Sequence, residues 1–293
     1  MTSKFDQLLA SRRAAALDGA TGTNLQQRGL PSGAPSDLWV LENPQEVLRL
    51  HKEFVAAGSD IILTNTFGGS RIRLGRSGLG ERVQDLNRTA VGLAREAAGS
   101  SALVAGSMGP TGELLKPLGP LDEETAASAF LEQASALVEA GVDLIVVETQ
   151  FDLNEARLAL RAVRAASPTI PLVCSFSFDR GTRTMMGVRP TALAAEFDEF
   201  KPSALGINCG RSLEDNLKVL QDLRSTTDLP IWFKPNAGLP RTDEMGNSFY
   251  DVSPEEMGSR VAGWVEAGAR LVGGCCGTSP AHVKAIASAA HSL

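Results

Sequence analysis

The sequence has few aromatic residues, few histidines and no long apolar run. Aromatic residues make up 5% of its 293 residues, with a single tyrosine, and there are three histidines. Without a stretch of about 18 apolar residues, the sequence predicts no membrane span. Arg12 and Arg13 lie where a signal peptide would need its apolar core, so we expect a cytoplasmic protein. The scarcity of aromatic side chains disfavours a platform on which nucleic-acid bases could stack.

The sequence also carries little excess charge of either sign. It has 28 Lys+Arg against 34 Asp+Glu, a net charge of −6, and this balance predicts no nucleic-acid partner. Hydrophobic residues at 43% and charged residues at 21% are typical of a globular protein. A chain of this length is near the upper size of one hydrophobic core, and we expect residues 1–293 to form a single domain.

The three histidines are too scattered to build a catalytic centre. They lie inside a predicted helix, after the loop of the last predicted strand and in the C-terminal tail, at His51, His282 and His291. This scatter excludes a histidine-rich metal centre and a Ser-His-Asp triad. We interpret all three as solvated surface residues.

Short apolar runs, each followed by a polar or glycine-rich turn, recur along the chain. Near-continuous runs of Val, Ile and Leu are typical of strands buried on both faces of a parallel sheet. The eight runs cover residues 14–17, 60–63, 102–105, 142–147, 171–176, 204–207, 231–233 and 270–272. Segments of helical periodicity lie between them, among them residues 44–57, 121–140, 153–166, 191–200, 213–224 and 254–267.

Signals for helix ends support this alternation. Asn43, Ser212 and Ser253 precede helical segments as start signals, and glycines at 58, 141 and 268 follow them as stop signals. The phrases FVAAGSDIIL, LVEAGVDLIVV and WVEAGARLVGG repeat the same order of helix end, Ala-Gly and strand start. Eight alternating units predict an α/β fold, a (β/α)8 TIM barrel. A doubly wound sheet would need a G-x-G-x-x-G turn after its first strand, and DGATGTN lacks it.

In such a barrel the active site forms at the C-terminal ends of the strands. Polar side chains and three of the four cysteines fall at these ends, namely Asp18, Thr64, Asn65, Ser107, Glu148, Cys209, Asn236, Cys275 and Cys276. Four cysteines in a reducing compartment predict metal binding or burial rather than a disulfide framework.

Cys209, Cys275 and Cys276 are the candidate metal ligands. Three thiolates that converge on one ion suit zinc and leave a fourth tetrahedral position open, as in catalytic zinc sites. We expect the glycines of GGCCGT to bend the backbone, since adjacent residues on an ideal strand point to opposite faces. The alternative is plain burial, because free cysteine is among the most buried residue types. The location of all three at strand ends favours zinc.

Two carboxylates and one lysine at the strand ends allow more than one interpretation. Asp18 and Glu148 are candidates for an acid/base pair or for binding a substrate ammonium group, although Asp18 would also suit a cap of the DGATG turn. Glu148 ends the apolar run VDLIVV, where burying a carboxylate is costly unless a partner neutralises it. Lys234 is either a Schiff-base nucleophile, as in barrel aldolases, or a lysine that reaches solvent.

The motifs resemble the homocysteine S-methyltransferase family over roughly residues 14–286. DGATGTNLQQRG, GSDIILTNTFG, GSMGPTGELLKPLG, VETQFDLNEA, GINCG, KPNAG and GGCCGTSPAHV occur in the order of that family. The likeness is greatest to the homocysteine-binding module of cobalamin-dependent methionine synthase. It implies a zinc-dependent barrel with Cys209, Cys275 and Cys276 as ligands and the homocysteine sulfur at the open position. In the substrate-free form, Asn236 would hold that position.

The resemblance also implies how the amino acid is bound. Asp18 and Glu148 would hold the amino group of homocysteine, and backbone N–H groups around Gly19, Ala20 and Ser107 would hold its carboxylate. A free thiol has a pKa near ~8.5, and zinc deprotonates a coordinated thiol while leaving it nucleophilic. Attack of this sulfur on an activated methyl group would yield methionine.

The methyl donor is left open by the sequence. The resemblance suggests methylcobalamin, free or on a separate corrinoid protein, because no cobalamin module fits within 293 residues. The betaine-using branch has a tyrosine where TNTFGGS carries Gly68, so a cation–π cage for betaine is not expected. S-methylmethionine and S-adenosylmethionine are further candidates. A Schiff-base lyase that uses Lys234 and a non-catalytic zinc- or redox-sensing module are the alternative functions.

Overall fold

Each apolar run of the sequence forms a strand, and the strands pair in parallel around a barrel. The computed structural model describes residues 2–242 and 248–293. The barrel strands are β1 (Ala15–Ala16), β2 (Ile61–Leu63), β3 (Leu103–Met108), β4 (Leu144–Gln150), β5 (Leu172–Phe176), β6 (Ala204–Cys209), β7 (Ile231–Pro235) and β8 (Ala269–Val272). A short antiparallel pair, Arg241–Thr242 with Ser248–Phe249, lies outside the barrel. The predicted (β/α)8 TIM barrel is confirmed.

The barrel closes between its first two strands. The hydrogen-bonded order around the sheet is β1-β8-β7-β6-β5-β4-β3-β2, and a parallel bridge between Leu17 and Ile61 joins its two ends. The side chain of Asp60 adds to this seam, because its Oδ2 accepts the N–H of Ala16 at 2.8 Å. All eight strand ends therefore point into one mouth.

The helices surround the barrel. They are α1 (Lys4–Ser11), α2 (Thr21–Gln27), α3 (Trp39–Glu42), α4 (Pro44–Ala56), α5 (Arg71–Gly75), α6 (Val83–Ala98), α7 (Glu123–Glu139), α8 (Leu153–Ala166), α9 (Leu193–Phe197), α10 (Leu213–Arg224), α11 (Pro254–Glu266) and α12 (Pro280–His291). Short 3₁₀ turns cover Ser36–Leu38, Gly80–Arg82, Pro190–Ala192 and Asp198–Phe200. The predicted helices match to within two residues, except that segment 191–200 is a short α-helix between two 3₁₀ turns.

The predicted helix ends are mostly confirmed. The side chains of Ser212 and Ser253 accept backbone N–H groups three residues on, whereas Asn43 precedes α4 without a side-chain cap. Three helices end before a glycine with positive φ, at Gly58, Gly141 and Gly268.

Helix α1, which the sequence analysis did not predict, closes the N-terminal end of the barrel. Phe5 on this helix is fully buried and packs in the interior cluster with Leu17, Ile61 and Trp232. Arg270 at β8 donates to the backbone oxygen of Leu9 at 2.7 Å and so ties the helix to the barrel. The barrel is thus closed at one end, and the C-terminal end of the strands is left for a site. No helix in the described part of the chain combines the length and the hydrophobicity that crossing a bilayer requires.

The interpretation of the histidines as solvated surface residues is wrong for His51 and His282 and is confirmed for His291, which is exposed. His51 is fully buried within α4, and neither of its ring nitrogens has a hydrogen-bond partner among the described residues. His282 is buried, with Nε2 2.9 Å from the carbonyl oxygen of Val252. The Nε2 of His291 lies 2.8 Å from Oδ2 of Asp60 at the barrel seam. His51 and His282 are therefore parts of the packed structure, and none of the three histidines lines the cavity at the barrel mouth.

Acid should destabilise the fold through His51. Burial lowers its pKa from the ordinary 6.5 to about 4, so the unfolded chain binds a proton at a higher pH than the folded chain does. The free energy of unfolding should fall between pH 6.5 and pH 4 by at most about 3 kcal/mol from this group. His51→Leu removes the titration and both unpaired nitrogens. Denaturant unfolding at pH 7, 5.5 and 4.5 would measure the free energy of unfolding of both proteins. The stability of His51→Leu relative to the wild type should increase as the pH falls. A difference that stays constant with pH would contradict this role of His51.

Candidate active site at the barrel mouth

A cavity of about 410 Å³ opens at the C-terminal ends of the strands. Its wall includes most of the predicted site residues, namely Gly19, Ala20, Ser107, Glu148, Cys209, Cys275 and Cys276, together with Lys234. Asp18 and Asn236, which are also predicted site residues, are not among the residues that line the cavity. The barrel therefore places the cysteines and the charged residues at one cavity.

The three predicted metal ligands converge. The Sγ atoms of Cys209, Cys275 and Cys276 lie within 4.8 Å of one another, and the first two are 3.0 Å apart. A zinc ion with Zn–S bonds of about 2.3 Å requires sulfurs about 3.8 Å apart. The cluster therefore has the size and the soft donor atoms that suit zinc. The fourth cysteine, Cys174, is fully buried on β5 and lies outside the cluster.

The glycines of GGCCGT, on either side of Cys275 and Cys276, are required more by close packing than by bending of the backbone. Both cysteines follow β8, which ends at Val272, so the alternation of a strand does not apply to them. Gly277 has φ 82° and turns the backbone. Gly274 is outside the left-handed region, and a Cβ there would overlap the side chain of Thr278. Glycine at 274 is therefore needed for the close approach of two loops, which corrects the expectation that all these glycines bend the chain.

Two asparagines hold the loop that presents Cys209. Cys209 has φ 59° and Gly210 has φ 80°, a left-handed pair that costs a non-glycine residue of order 1 kcal/mol. Nδ2 of Asn216 donates to the carbonyl oxygen of Cys209 at 2.7 Å. Nδ2 of Asn236 donates to that of Gly210 at 3.0 Å, and its Oδ1 accepts the N–H of Cys276 at 2.9 Å. Asn236 thus joins the two loops that carry the sulfur atoms, and its role as a zinc ligand stays a prediction.

The role of Asn216 was not predicted from the sequence. The feature that could have indicated it is its position in the first turn of the helix that follows GINCG. We expect Asn216→Ala to weaken zinc binding about 10- to 100-fold, as loss of an outer-shell hydrogen bond typically does. Competition with a chromogenic chelator would measure this change. Asn154→Ala is the matched control, because Asn154 lies in the first turn of α8 and is exposed. Equal zinc affinities in the two variants would contradict the role.

Asp18 lies beneath the cavity floor with both carboxylate oxygens engaged. Its Oδ2 accepts the N–H of Leu63 at 2.7 Å, and its Oδ1 accepts Nζ of Lys234 at 2.5 Å. The proposed cap of the DGATG turn is therefore wrong. Asp18 is also fully buried, so in this arrangement it does not meet a substrate directly.

Lys234 is buried, and the interpretation that it reaches solvent is wrong. Its side chain is 4% exposed. Burial lowers its pKa, but the carboxylates of Asp18 and Glu148 outweigh this effect, and the net pKa is raised. A lysine held as the ammonium ion is a poor nucleophile, which disfavours a Schiff base at this position.

Glu148 has the neutralising partners that its burial requires. Its Oε1 accepts the hydroxyl of Ser107 at 2.5 Å, and Lys234 contributes a nearby positive charge. Burial raises the pKa of Glu148 to about 7, and Lys234 partly opposes the shift. Since Glu148 lines the cavity, it offers a carboxylate to a cationic group there.

Two of the backbone groups predicted to bind a carboxylate are already engaged. The N–H of Ala20 donates to the carbonyl oxygen of Thr278 at 3.1 Å. The N–H of Ser107 donates to Oγ1 of Thr64 at 3.1 Å. A carboxylate at these positions would have to share or displace existing hydrogen bonds, and the role of these N–H groups in binding it stays a prediction.

Tyr250, the only tyrosine of the chain, lies beside the cluster and was not predicted to do so. Its ring packs against Gly277, where a Cβ would overlap the ring. Burial and the neighbouring Cys276 raise its pKa well above the ordinary value. An aromatic side chain therefore forms one edge of the sulfur cluster.

Comparisons with known proteins agree with this geometry. The model of the homocysteine S-methyltransferase family matches residues 15–290. The methionine synthase of Mycobacterium tuberculosis is 32% identical over 303 residues, which cover 97% of this chain and 25% of that protein. The chain spans about a quarter of the length of the curated relatives it matches. The homocysteine methyltransferase MmuM from Escherichia coli, in its metallated form, is 27% identical over 96% of this chain and 98% of that one, with a TM-score of 0.82. The apo form of MmuM gives 0.75.

Proposed function

Because this chain belongs to the homocysteine S-methyltransferase family, we propose that it methylates the sulfur of homocysteine to give methionine, with zinc held by Cys209, Cys275 and Cys276. The convergence of these three Sγ atoms within 4.8 Å at the cavity wall carries the proposal. When bound, zinc supplies a deprotonated, nucleophilic substrate sulfur at its open position.

The residues of the chain bind and orient the amino acid. Glu148, ionised and held by Ser107, receives the substrate ammonium group at the cavity floor. Asn216 and Asn236 keep the cysteine loops in register, so that the sulfur cluster is preorganised before substrate enters. Methionine lacks an ionisable thiol, and its thioether is therefore held less tightly than the substrate sulfur.

The methyl donor is proposed to be methylcobalamin, free or carried by a separate corrinoid protein. The likeness to methionine synthases about four times the length of this chain supports this choice. S-methylmethionine, S-adenosylmethionine and betaine are the alternative donors.

A donor screen tests the proposal. Zinc-loaded protein is incubated with homocysteine and each donor in turn, methionine is measured by mass spectrometry, and the corrin spectrum is followed for methylcobalamin. Methionine from methylcobalamin alone supports the proposal, and methionine from another donor alone reassigns the donor. Homocysteine binding without methyl transfer from any donor would favour a zinc- or redox-sensing module instead. Borohydride trapping of a carbonyl substrate on Lys234 would indicate the lyase, which the ion pair with Asp18 disfavours.

A further inference from the structure

One buried amide joins the strand end that carries Glu148 to the strand end that carries Cys209. Asn208, the last residue but one of β6, is fully buried. Its Oδ1 accepts the backbone N–H of Thr149 at 2.9 Å, and its Nδ2 donates to Oγ1 of Thr149 at 2.7 Å. Thr149 belongs to β4, two strands away in the sheet. Asn208 therefore holds it by its backbone and by its side chain at once.

The same amide also contacts the strand between these two. Its Oδ1 accepts the hydroxyl of Ser175 on β5 at 2.6 Å, and its Nδ2 lies 3.5 Å from Sγ of Cys209. A side-chain amide has two acceptor lone pairs and two N–H donors, and all four are occupied here. A buried network in which every group is satisfied rigidifies its surroundings. The ends of β4, β5 and β6 are thus fixed relative to one another at the cavity.

The backbone at Thr149 is strained. Its φ of 60° is left-handed, which is an outlier for a β-branched residue and costs on the order of 1–3 kcal/mol. The pairing of β4 with β5 slips at this point, because Val147 lies opposite Cys174 but Gln150 lies opposite Phe176. One extra residue in a strand forms a bulge, which commonly re-aims a side chain beside an active site. The two hydrogen bonds from the amide hold the chain in this conformation.

The segment held in this way carries the residue proposed to bind the substrate ammonium group. The N–H that Asn208 accepts belongs to the peptide group between Glu148 and Thr149, and the residue that follows Asn208 is Cys209. Glu148, Thr149 and Cys209 all line the cavity. In the proposed reaction Glu148 binds one end of the substrate, and the zinc held by Cys209 binds the sulfur at the other end. A single side chain therefore connects the two points to which the substrate is attached.

We infer that Asn208 and Thr149 set the spacing between these two points and thereby determine the chain length of the thiol acceptor. Cysteine has one methylene group fewer than homocysteine between its α-carbon and its sulfur. It cannot reach both points when their spacing is rigid, whereas a relaxed spacing would accommodate it. The inference rests on the proposed function, since it concerns the acceptor of that reaction. Both residues act through Glu148 and Cys209 and are positioning residues.

The Kd values of homocysteine and cysteine, measured by calorimetry on zinc-loaded protein, test this inference. The wild type should bind homocysteine about 10- to 200-fold more tightly, the discrimination that one methylene group typically gives. Asn208→Ala should reduce this ratio about 10-fold, because the peptide group next to Glu148 is no longer held in place. Thr149→Ser retains the hydroxyl that accepts Nδ2 and should retain the ratio. Elemental analysis establishes that each protein carries zinc.

Asn87→Ala is the matched control. Asn87 is also a fully buried amide, with its Nδ2 donating to the backbone oxygens of Gly69 and Val83, but it does not line the cavity. Its replacement should lower the free energy of unfolding and leave the ratio of the two Kd values unchanged. The control separates a loss of spacing from a general loss of stability.

Thr149→Gly replaces Asn208→Ala if the latter does not fold. Glycine adopts the left-handed conformation without strain, and this variant removes the hydroxyl that binds Asn208, so the ratio should again fall. A wild-type ratio in folded Asn208→Ala, or in Thr149→Gly where Asn208→Ala does not fold, overturns the inference. A wild type without preference for homocysteine over cysteine also overturns it, and the proposed function stands in both cases. If the wild type binds neither thiol, the proposed function itself fails.

Discussion

Replacing Cys209 by alanine is expected to abolish both zinc retention and methyl transfer. Zinc binding by four ligands is worth about 10–16 kcal/mol, so one thiolate accounts for about 3 kcal/mol or more, at least about 100-fold in affinity. The loss of turnover should exceed about 100-fold, because at neutral pH the substrate sulfur is mostly protonated unless it is bound to the zinc ion. Elemental analysis after dialysis against a chelator would measure the zinc, and methionine formation would measure the activity.

The chain supplies a matched control for this prediction. Cys174 is a free thiol, fully buried on β5, and burial raises its pKa well above the ordinary value. Cys174→Ala removes the same atoms from the same kind of barrel strand without touching the cluster. It should cost some stability and leave zinc content and turnover near those of the wild type. Full zinc and full turnover in Cys209→Ala would refute the metal site.

Glu148→Gln is expected to raise the KM for homocysteine about 30-fold or more and to leave the zinc content unchanged. Removing one partner of a buried charge pair typically costs 2–5 kcal/mol or more in binding, and the ammonium group of the substrate would lose its only free carboxylate among the described cavity residues. Steady-state kinetics with metal analysis separates this loss from damage to the cluster. A KM that stays at the wild-type value would show that the ammonium group is held elsewhere.

The pH dependence of KM gives a second measure of the same residue. The pKa of Glu148 is raised to about 7 by burial, and only the ionised form attracts an ammonium group. In the wild type the KM should therefore rise about tenfold per pH unit below 7 and level off above it. Glu148→Gln should flatten the profile between pH 6 and 8. Glu155→Gln is the control, because Glu155 is also buried with a raised pKa but binds Thr111 outside the cavity.

The cysteine cluster and the charged floor differ in how far the sequence predicted them. Cys209 and the Cys275–Cys276 pair lie at the ends of strands. Because all parallel strands of a barrel end at the same mouth, their positions in the sequence were enough to predict that these cysteines lie close together. The partners of Asp18 were not predictable in this way. Its ion pair with Lys234 joins residues 216 positions apart, and whether two inward side chains touch depends on the stagger of the strands.

The sequence by itself determined the barrel, its strands to within a few residues and the three cysteines that converge at the barrel mouth, because these follow from local hydrophobic periodicity and from the direction of parallel strands. Only the tertiary structure decided that Lys234 is a buried cation paired with Asp18 and that the N–H groups of Ala20 and Ser107 are already hydrogen-bonded. It also decided that His51 is buried with no hydrogen-bond partner among the residues that the structure describes. These features depend on contacts between residues far apart in the chain. Such contacts depend on how the strands are staggered and how the loops pack in three dimensions, and no local pattern in the sequence encodes either.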